Sequence, residues 1–172
     1  SWTVLDGHGG RYTSTNTYAG ARTNLERRHW LGFSAITTTE TASGQRRVTT
    51  YSQDYASLGF VLTQLFSDAA GRPLRGSATT PLVRTPYANV YEAYAAQEVD
   101  TVYAAGQAAS TVTSRWSWDT YGNATMETHQ GRTDDPAQFL VTCTRFSNDT
   151  AAWRLGYPVE VKDQRSEAAC TA

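Results

Sequence analysis

The sequence predicts an all-β chain of antiparallel hairpins. Three observations carry this. Thr, Tyr, Trp and Val are plentiful while Leu, Glu and Lys are scarce, and the abundant types suit a pleated, half-buried surface better than a helix. Apolar and polar residues alternate with a period of two in one run after another. Each run is bounded by Gly, Asn, Asp or Pro, the residues that turn a chain between strands.

The elements follow in chain order. "VLDGHGGRY" (4–12) reads as a turn between two β-like runs, with Asp6 at its start and paired glycines at its close. "FSAITTTETA" (33–42) is β-branched and alternating. "RRVTTYSQD" (46–54) sets Val48, Thr50 and Ser52 on one face and Arg47, Thr49, Tyr51 and Gln53 on the other. "GFVLTQLFSD" (59–68) divides Phe60, Leu62 and Gln64 from Val61, Thr63 and Leu65. The stretch 87–107 carries helix-compatible alanines, yet Val90, Tyr91, Tyr94, Val99, Val102 and Tyr103 favour β; it is read as two strands with a turn at Gly106. "STVTSRWSWD" (110–119) puts Val112, Ser114, Trp116 and Trp118 on one face. "FLVTCTRFS" (139–147) continues the pattern. No Ser/Gly-rich or Pro-rich linker divides the 172 residues, so residues 1–172 are taken as a single segment.

A turn motif recurs: hydrophobic-x-Asp-x-x-Gly-polar. It appears at Phe66, Asp68, Gly71 and Arg72, and again at Trp116, Trp118, Asp119, Gly122 and Asn123; the Asp6 turn is a third, looser copy. The opening Asp can accept backbone N–H bonds, and Gly supplies the positive φ that closes a short turn. One such turn marks a hairpin, whereas three point to a repeated unit. A lone hairpin cannot bury its own face, so its neighbours must sit beside it.

The formal net charge is −1 and the sequence pI about 6.3. Neither suggests a nucleic-acid partner, which would need a basic patch. The Arg27-Arg28 and Arg46-Arg47 pairs would point to opposite sides of a strand. No 18-residue apolar window marks a membrane span, and no basic start with an apolar run marks a signal peptide. The chain opens on Ser1, which reads as a piece of a longer or processed protein. Cys143 and Cys170 could pair, but the tail "SEAACTA" reads as mobile, and free thiols are favoured.

Chemistry is sparse. His8, His29 and His129 are scattered, and no Gly-x-Ser-x-Gly occurs, so a Ser/His triad has no sequence support. Asp6 and His8 are too few for a metal site and fit turn chemistry better. Glu92, Glu98 and Asp100 share strand parity but read as solvated carboxylates, and Asp134 and Asp135 sit in a polar turn. Asn123 and Asn148 each begin a glycosylation sequon, taken as chance matches. Trp116, Trp118, Tyr91, Tyr94, Tyr103 and Tyr121 could form a sugar-stacking surface, but packing between hairpins is the favoured reading. No catalytic residue, metal ligand or cofactor site is assigned.

The Trp116-Ser-Trp118-Asp119-Thr-Tyr-Gly122-Asn123 turn resembles the YD-repeat (Rhs-type) motif, with Trp in place of Tyr. "RRHWLGFSAITTTE" (27–40), "TTYSQDYASLGFVLTQLFSDAAGRPL" (49–74) and "AAWRLGYPVEV" (151–161) follow in an order similar to the shell region of SpvB-like proteins and of the B component of bacterial insecticidal toxin complexes. The resemblance spans nearly the whole chain. It implies a strip of antiparallel hairpins forming one arc of a curved shell wall around a toxin domain. The partners it implies are neighbouring YD-repeat segments and the enclosed domain, with edge-to-edge self-association as a further expectation. It implies a bacterial, secreted or cell-surface location and a non-catalytic role. The family's propeller, its autoprotease core and a toxin domain are not recognisable; the Asp135-Pro136 pair lacks glycine-rich surroundings. The alternative is a β-rich adhesin or carbohydrate-binding module using exposed aromatics.

Overall fold

The computed structural model describes residues 1–5, 7, 8, 10–131 and 135–170. The fold is all-β. Eleven strands form one antiparallel sheet that does not close into a barrel. In chain order they are β1 (Trp2–Leu5), β2 (Arg11–Ala19), β5 (Ala35–Glu40), β6 (Arg46–Tyr51), β7 (Val61–Ser67), β8 (Pro73–Tyr87), β9 (Val90–Ala104), β10 (Gln107–Trp118), β11 (Ala124–Gln130), β12 (Phe139–Asp149) and β13 (Arg154–Gln164). Each strand pairs with the next of these, from β1 at one edge to β13 at the other. Between β2 and β5 the chain leaves the sheet to form a separate two-stranded pair, β3 (Thr23–Asn24) and β4 (His29–Trp30).

The stretch 87–107 corrects the sequence reading. It holds one 15-residue strand, β9, rather than two. No Gly, Pro or Asn lies between Val90 and Ala104 to turn the chain. Turns stand outside it instead, at Ala88-Asn89 (Asn89 φ +64°) and at Ala105-Gly106 (φ +50° and +81°). Two consecutive positive-φ residues suit the right-handed twist of a two-residue hairpin. The Ala105-Gly106 pair closes the β9–β10 hairpin, while the turn at Ala88-Asn89 closes β8–β9, the longest hairpin in the sheet.

The sheet is a single layer. Among the described residues the buried apolar side chains are Leu31 and Val141 alone. Most domains bury one face of a sheet against a second layer; here both faces keep contact with solvent. Their chemistry differs. Register places Thr3 opposite Thr13, Thr15 opposite Thr39, Thr17 opposite Thr37, Thr50 opposite Thr63 and Thr101 opposite Thr111, all on one face. Two of these pairs bond hydroxyl to hydroxyl, Thr3–Thr13 at 3.1 Å and Thr50–Thr63 at 2.6 Å. The other face carries Trp2, Tyr18, Arg47, Phe66, Arg75 and Asp100, where guanidinium–ring and Arg–carboxylate contacts replace hydroxyl pairs. Cross-strand pairs of both kinds stabilise a sheet directly, each by up to about 1 kcal/mol.

Two local packs supplement the sheet. The β3–β4 excursion folds over the loop after β6. Gln53 Nε2 donates to the carbonyls of Gly20 (2.6 Å) and Gly32 (3.0 Å), and Leu31 is buried beneath. At the other end the segment after β13 turns back over the sheet. Arg165 donates to the carbonyls of Ala137 and Phe139, and a short 3-10 turn (Glu167–Cys170) brings Cys170 to Cys143 on β12. The two form a disulfide with a Cα–Cα distance of 5.6 Å. This overturns the expectation of free thiols in a mobile tail. The tail is held by contacts from residues 26 or more positions upstream, which local composition does not encode.

Candidate functional site

The two Asp turns have the same internal geometry. At the β7–β8 connection, Asp68 Oδ1 accepts from the backbone N–H of Ala70 and Arg72, both at 2.9 Å, and Oδ2 accepts from Arg72 Nε at 2.7 Å. At the β10–β11 connection, Asp119 Oδ1 accepts from the N–H of Tyr121 (2.8 Å) and Asn123 (2.9 Å), and Oδ2 accepts from Asn123 Nδ2 at 2.8 Å. Gly71 and Gly122 sit at φ +81° and +83°. One carboxylate thus satisfies two backbone donors and one side-chain donor, and Gly takes the left-handed position that L side chains resist.

A third acidic turn escaped the sequence reading. Asp149 Oδ1 accepts from Ala152 N–H (3.0 Å) and Oδ2 from Arg154 Nη2 (3.1 Å), joining β12 to β13. The turn has one residue more, and Trp153 rather than Gly holds its positive φ, +52°. Its signal in the sequence is an Asp followed five residues later by Arg, without the Gly that marks the other two turns.

The Asp119 turn does more than close its own hairpin. Asn148 of β12 donates to Asp119 Oδ2 and accepts from Asn123 Nδ2, both at 3.3 Å, and its Oδ1 also accepts from the N–H of Gly156 at 2.8 Å. On the other side, Arg84 of β8 donates to the Asp119 carbonyl, to Glu92 Oε2 (3.0 Å) and to the Tyr94 hydroxyl (3.2 Å). Tyr94 stacks on Trp118 with ring centroids 4.7 Å apart, and Trp118 Nε1 donates to the Ala95 carbonyl at 2.8 Å. Six adjacent strands, β8 to β13, are therefore stitched at one level of the sheet.

Burial opposes ionisation of Asp119. The hydrogen bonds from Asn123, Tyr121 and Asn148 outweigh it and hold the carboxyl below the usual carboxylate range. A folded-state value below the unfolded one means stability that is present above about pH 4 and lost as pH falls through the folded value. Asp119→Asn is expected to flatten the fall in stability between pH 5 and 3, read by urea unfolding at each pH. Asp119→Ala is expected to cost about 2 kcal/mol at pH 7, because two backbone N–H groups lose their acceptor. An unchanged acid profile in Asp119→Asn would remove this carboxylate from the linkage.

Among the chemical candidates, the fold brings one set together. Ser114 Oγ lies 2.9 Å from His129 Nδ1, and His129 Nε2 lies 3.3 Å from Glu127 Oε1, across the β10–β11 pair. The group is a hydroxyl, an imidazole and a carboxylate in sequence. Both strands are paired on both sides, so the surrounding backbone N–H groups serve the ladder rather than converging on an oxyanion. Glu92 and Asp100 instead meet Arg84 and Arg75. Asp135 accepts from Ala137 N–H and Gln138 Nε2 in its own turn. Asp6 and Asp134 lie outside the described residues. His8 is in the β1–β2 connection, and His29 meets Tyr55 edge to face at 5.9 Å. Among the described residues no group of three His, Cys, Asp or Glu is placed to hold a metal ion.

The aromatics sort themselves. Trp116 and Trp118 are half-buried, and Trp118 is committed to Tyr94. More accessible rings lie elsewhere: Trp30 and Tyr18 flank Phe33, at centroid distances of 5.5 and 4.8 Å, and Trp30 and Phe33 line an apolar cleft of about 430 Å³.

No protein-family model matches the chain, and no curated protein matches it. Among solved structures the chain is similar to the crystal structure of TcdB2-TccC3, with a TM-score of 0.75 and 11% sequence identity. The likeness covers 90% of this chain and 12% of that one, so the chain corresponds to a small part of the larger molecule. At this identity the similarity is one of fold.

Proposed function

We propose that this chain is a wall segment of a shell that encloses a toxin cargo domain, itself non-catalytic and acting outside the bacterial cell. The observation that supports it best is the single-layer sheet, wet on both faces and almost without a core. Such a sheet suits a partition better than a free-standing domain, which would need a second layer. Its fold likeness to a stretch of TcdB2-TccC3 and the YD-type turns of the sequence point the same way. The mechanism is containment: paired hairpins, cross-stitched at Asp119 and Arg84, present a continuous hydrogen-bonded barrier. Neighbouring segments of the same kind would continue the wall.

Electron microscopy of the native protein from its source tests this directly. A hollow particle, with flanking sequence rich in further hairpins, is the expected result. A native species of 18.9 kDa with no enclosed volume would overturn it. The alternative of a binding module rests on one observation, the apolar cleft lined by Trp30 and Phe33. It predicts quenching or a shift of tryptophan fluorescence on titration with oligosaccharides, lost in Trp30→Ala.

A further inference from the structure

Among the described residues, the two most deeply buried side chains of this single-layer sheet lie together. Val141 is 0% exposed and Thr128 1%, and register sets them side by side across the β11–β12 pair. Residues two apart on a strand share a face, so Cys143 and its register partners Met126 and Lys162 stand on the same face as Val141. Cys143 is bonded there to Cys170. The segment from Arg165 to Cys170 therefore lies over that face as a flap. Arg165 fixes its root through the Ala137 and Phe139 carbonyls. Beyond the root, the Ala169 N–H donates to the Ser166 carbonyl within the flap itself, at 3.3 Å, and the disulfide ties the flap to β12.

The disulfide is within reach of solutes. Both cysteines are half-buried, and both line a cleft of about 580 Å³ whose wall includes Met126, Phe146 and Lys162. The Cys143 side of this cleft is cationic. Lys162 and Arg145 share one carboxylate, Glu160, at 3.1 and 3.4 Å. Asp119, in the same wall, has its carboxylate turned into its own hairpin.

We propose that Cys143–Cys170 is a thiol-reactive site, taking small anionic thiols of the glutathione class, and that its opening frees the flap. The incoming thiolate attacks Cys170 Sγ and forms a new S–S bond there. The Cys143–Cys170 bond breaks, and its electron pair leaves on Cys143 Sγ. Cys143 is the better leaving group because a neighbouring ammonium, that of Lys162, stabilises its thiolate. A second small thiolate then attacks the sulfur of the first. The small thiols leave as their own disulfide, oxidised by two electrons, and Cys143 and Cys170 are left reduced, taking their protons from water. The bond persists in oxidising surroundings and opens in thiol-rich ones. With the flap free, Val141 and the Thr128 hydroxyl meet water. That hydroxyl is buried without a hydrogen-bond partner, a local cost of the closed state that opening relieves. This inference stands on residues 126–170 and not on the shell reading.

The test is incubation of the folded 172-residue chain with reduced glutathione in the absence of denaturant. Samples are quenched in acid and read by peptide mass spectrometry, with amide exchange followed in parallel. The expected result is glutathione on Cys170 and none on Cys143, formed faster than the chain unfolds globally, with exchange rising across 165–170 and in β12. Lys162→Gln should slow the reaction about threefold, because the leaving thiolate loses its cation. Lys162→Arg should restore the parent rate. Overturning results are free thiols in the untreated chain, a bond that reacts only as fast as global unfolding, glutathione mapped to Cys143, Lys162→Gln as fast as the parent, or β12 keeping its protection once the bond is open. None of these bears on whether the native particle is hollow, so the two readings fail separately.

Discussion

Gly122→Val is expected to destabilise the chain by about 3 kcal/mol, the larger part of what a marginal domain holds in reserve. Two causes add. The backbone at 122 stands at φ +83°, where an L residue is strained by about 1–2 kcal/mol and a β-branched one by more. The new Cβ would also lie 2.5 Å from the Tyr94 hydroxyl. Tyr94 cannot simply swing away, because its ring stacks on Trp118 and its hydroxyl is shared with Arg84 and Glu92. Gly71→Val separates the causes. Gly71 has the same φ, +81°, in a turn of the same design, but nothing lies within 4 Å of its Cβ position. That variant should lose only the strain, about 1–2 kcal/mol. Urea unfolding of both variants checks the pair, and equal losses would mean that Tyr94 yields freely.

Loss of the Cys143–Cys170 disulfide is expected to cost about 3.5 kcal/mol, the chain-entropy value for a closed loop of this size. Reduction, or the Cys143→Ser/Cys170→Ser pair, should lower the melting temperature. The change should also be local. Each strand contacts only its neighbours, so amide exchange should rise in β12 and β13 while β5, β6 and β7 keep their protection. Unchanged melting with both thiols shown to be reduced would assign the tail's attachment to Arg165 and its carbonyl acceptors instead.

What could be read from the sequence was local. β5, β6 and β7 fall inside runs whose alternation is visible, and β10 and β12 overlap theirs but extend two or three residues beyond, because a strand's period is carried by its own residues. The Asp68 and Asp119 turns have every backbone partner within four positions, so four letters suffice to suggest them. β9 is a single strand although its alanines favour helix over strand, because its ends are set by the turns at Asn89 and Gly106. The larger misses are non-local. Asn148 meets Asp119 from 29 positions away and Arg84 from 35. Neither residue differs in its own surroundings from an ordinary solvated side chain. The Ser114–His129 contact is likewise set by β10–β11 register, which no motif announces.

The order of strands along the sheet has a consequence for how the chain acquires it. With the β3–β4 excursion set aside, spatial order is sequence order. No strand must wait for a distant one, so the entropy of closing long loops is largely avoided. The molecule can assemble as a zipper, each hairpin templating the next as it leaves the ribosome. Stability then accumulates as a sum of neighbour terms, as in a linear array. Such a chain can gain or lose a hairpin in evolution without rethreading the rest, so its length is free to vary while its topology does not.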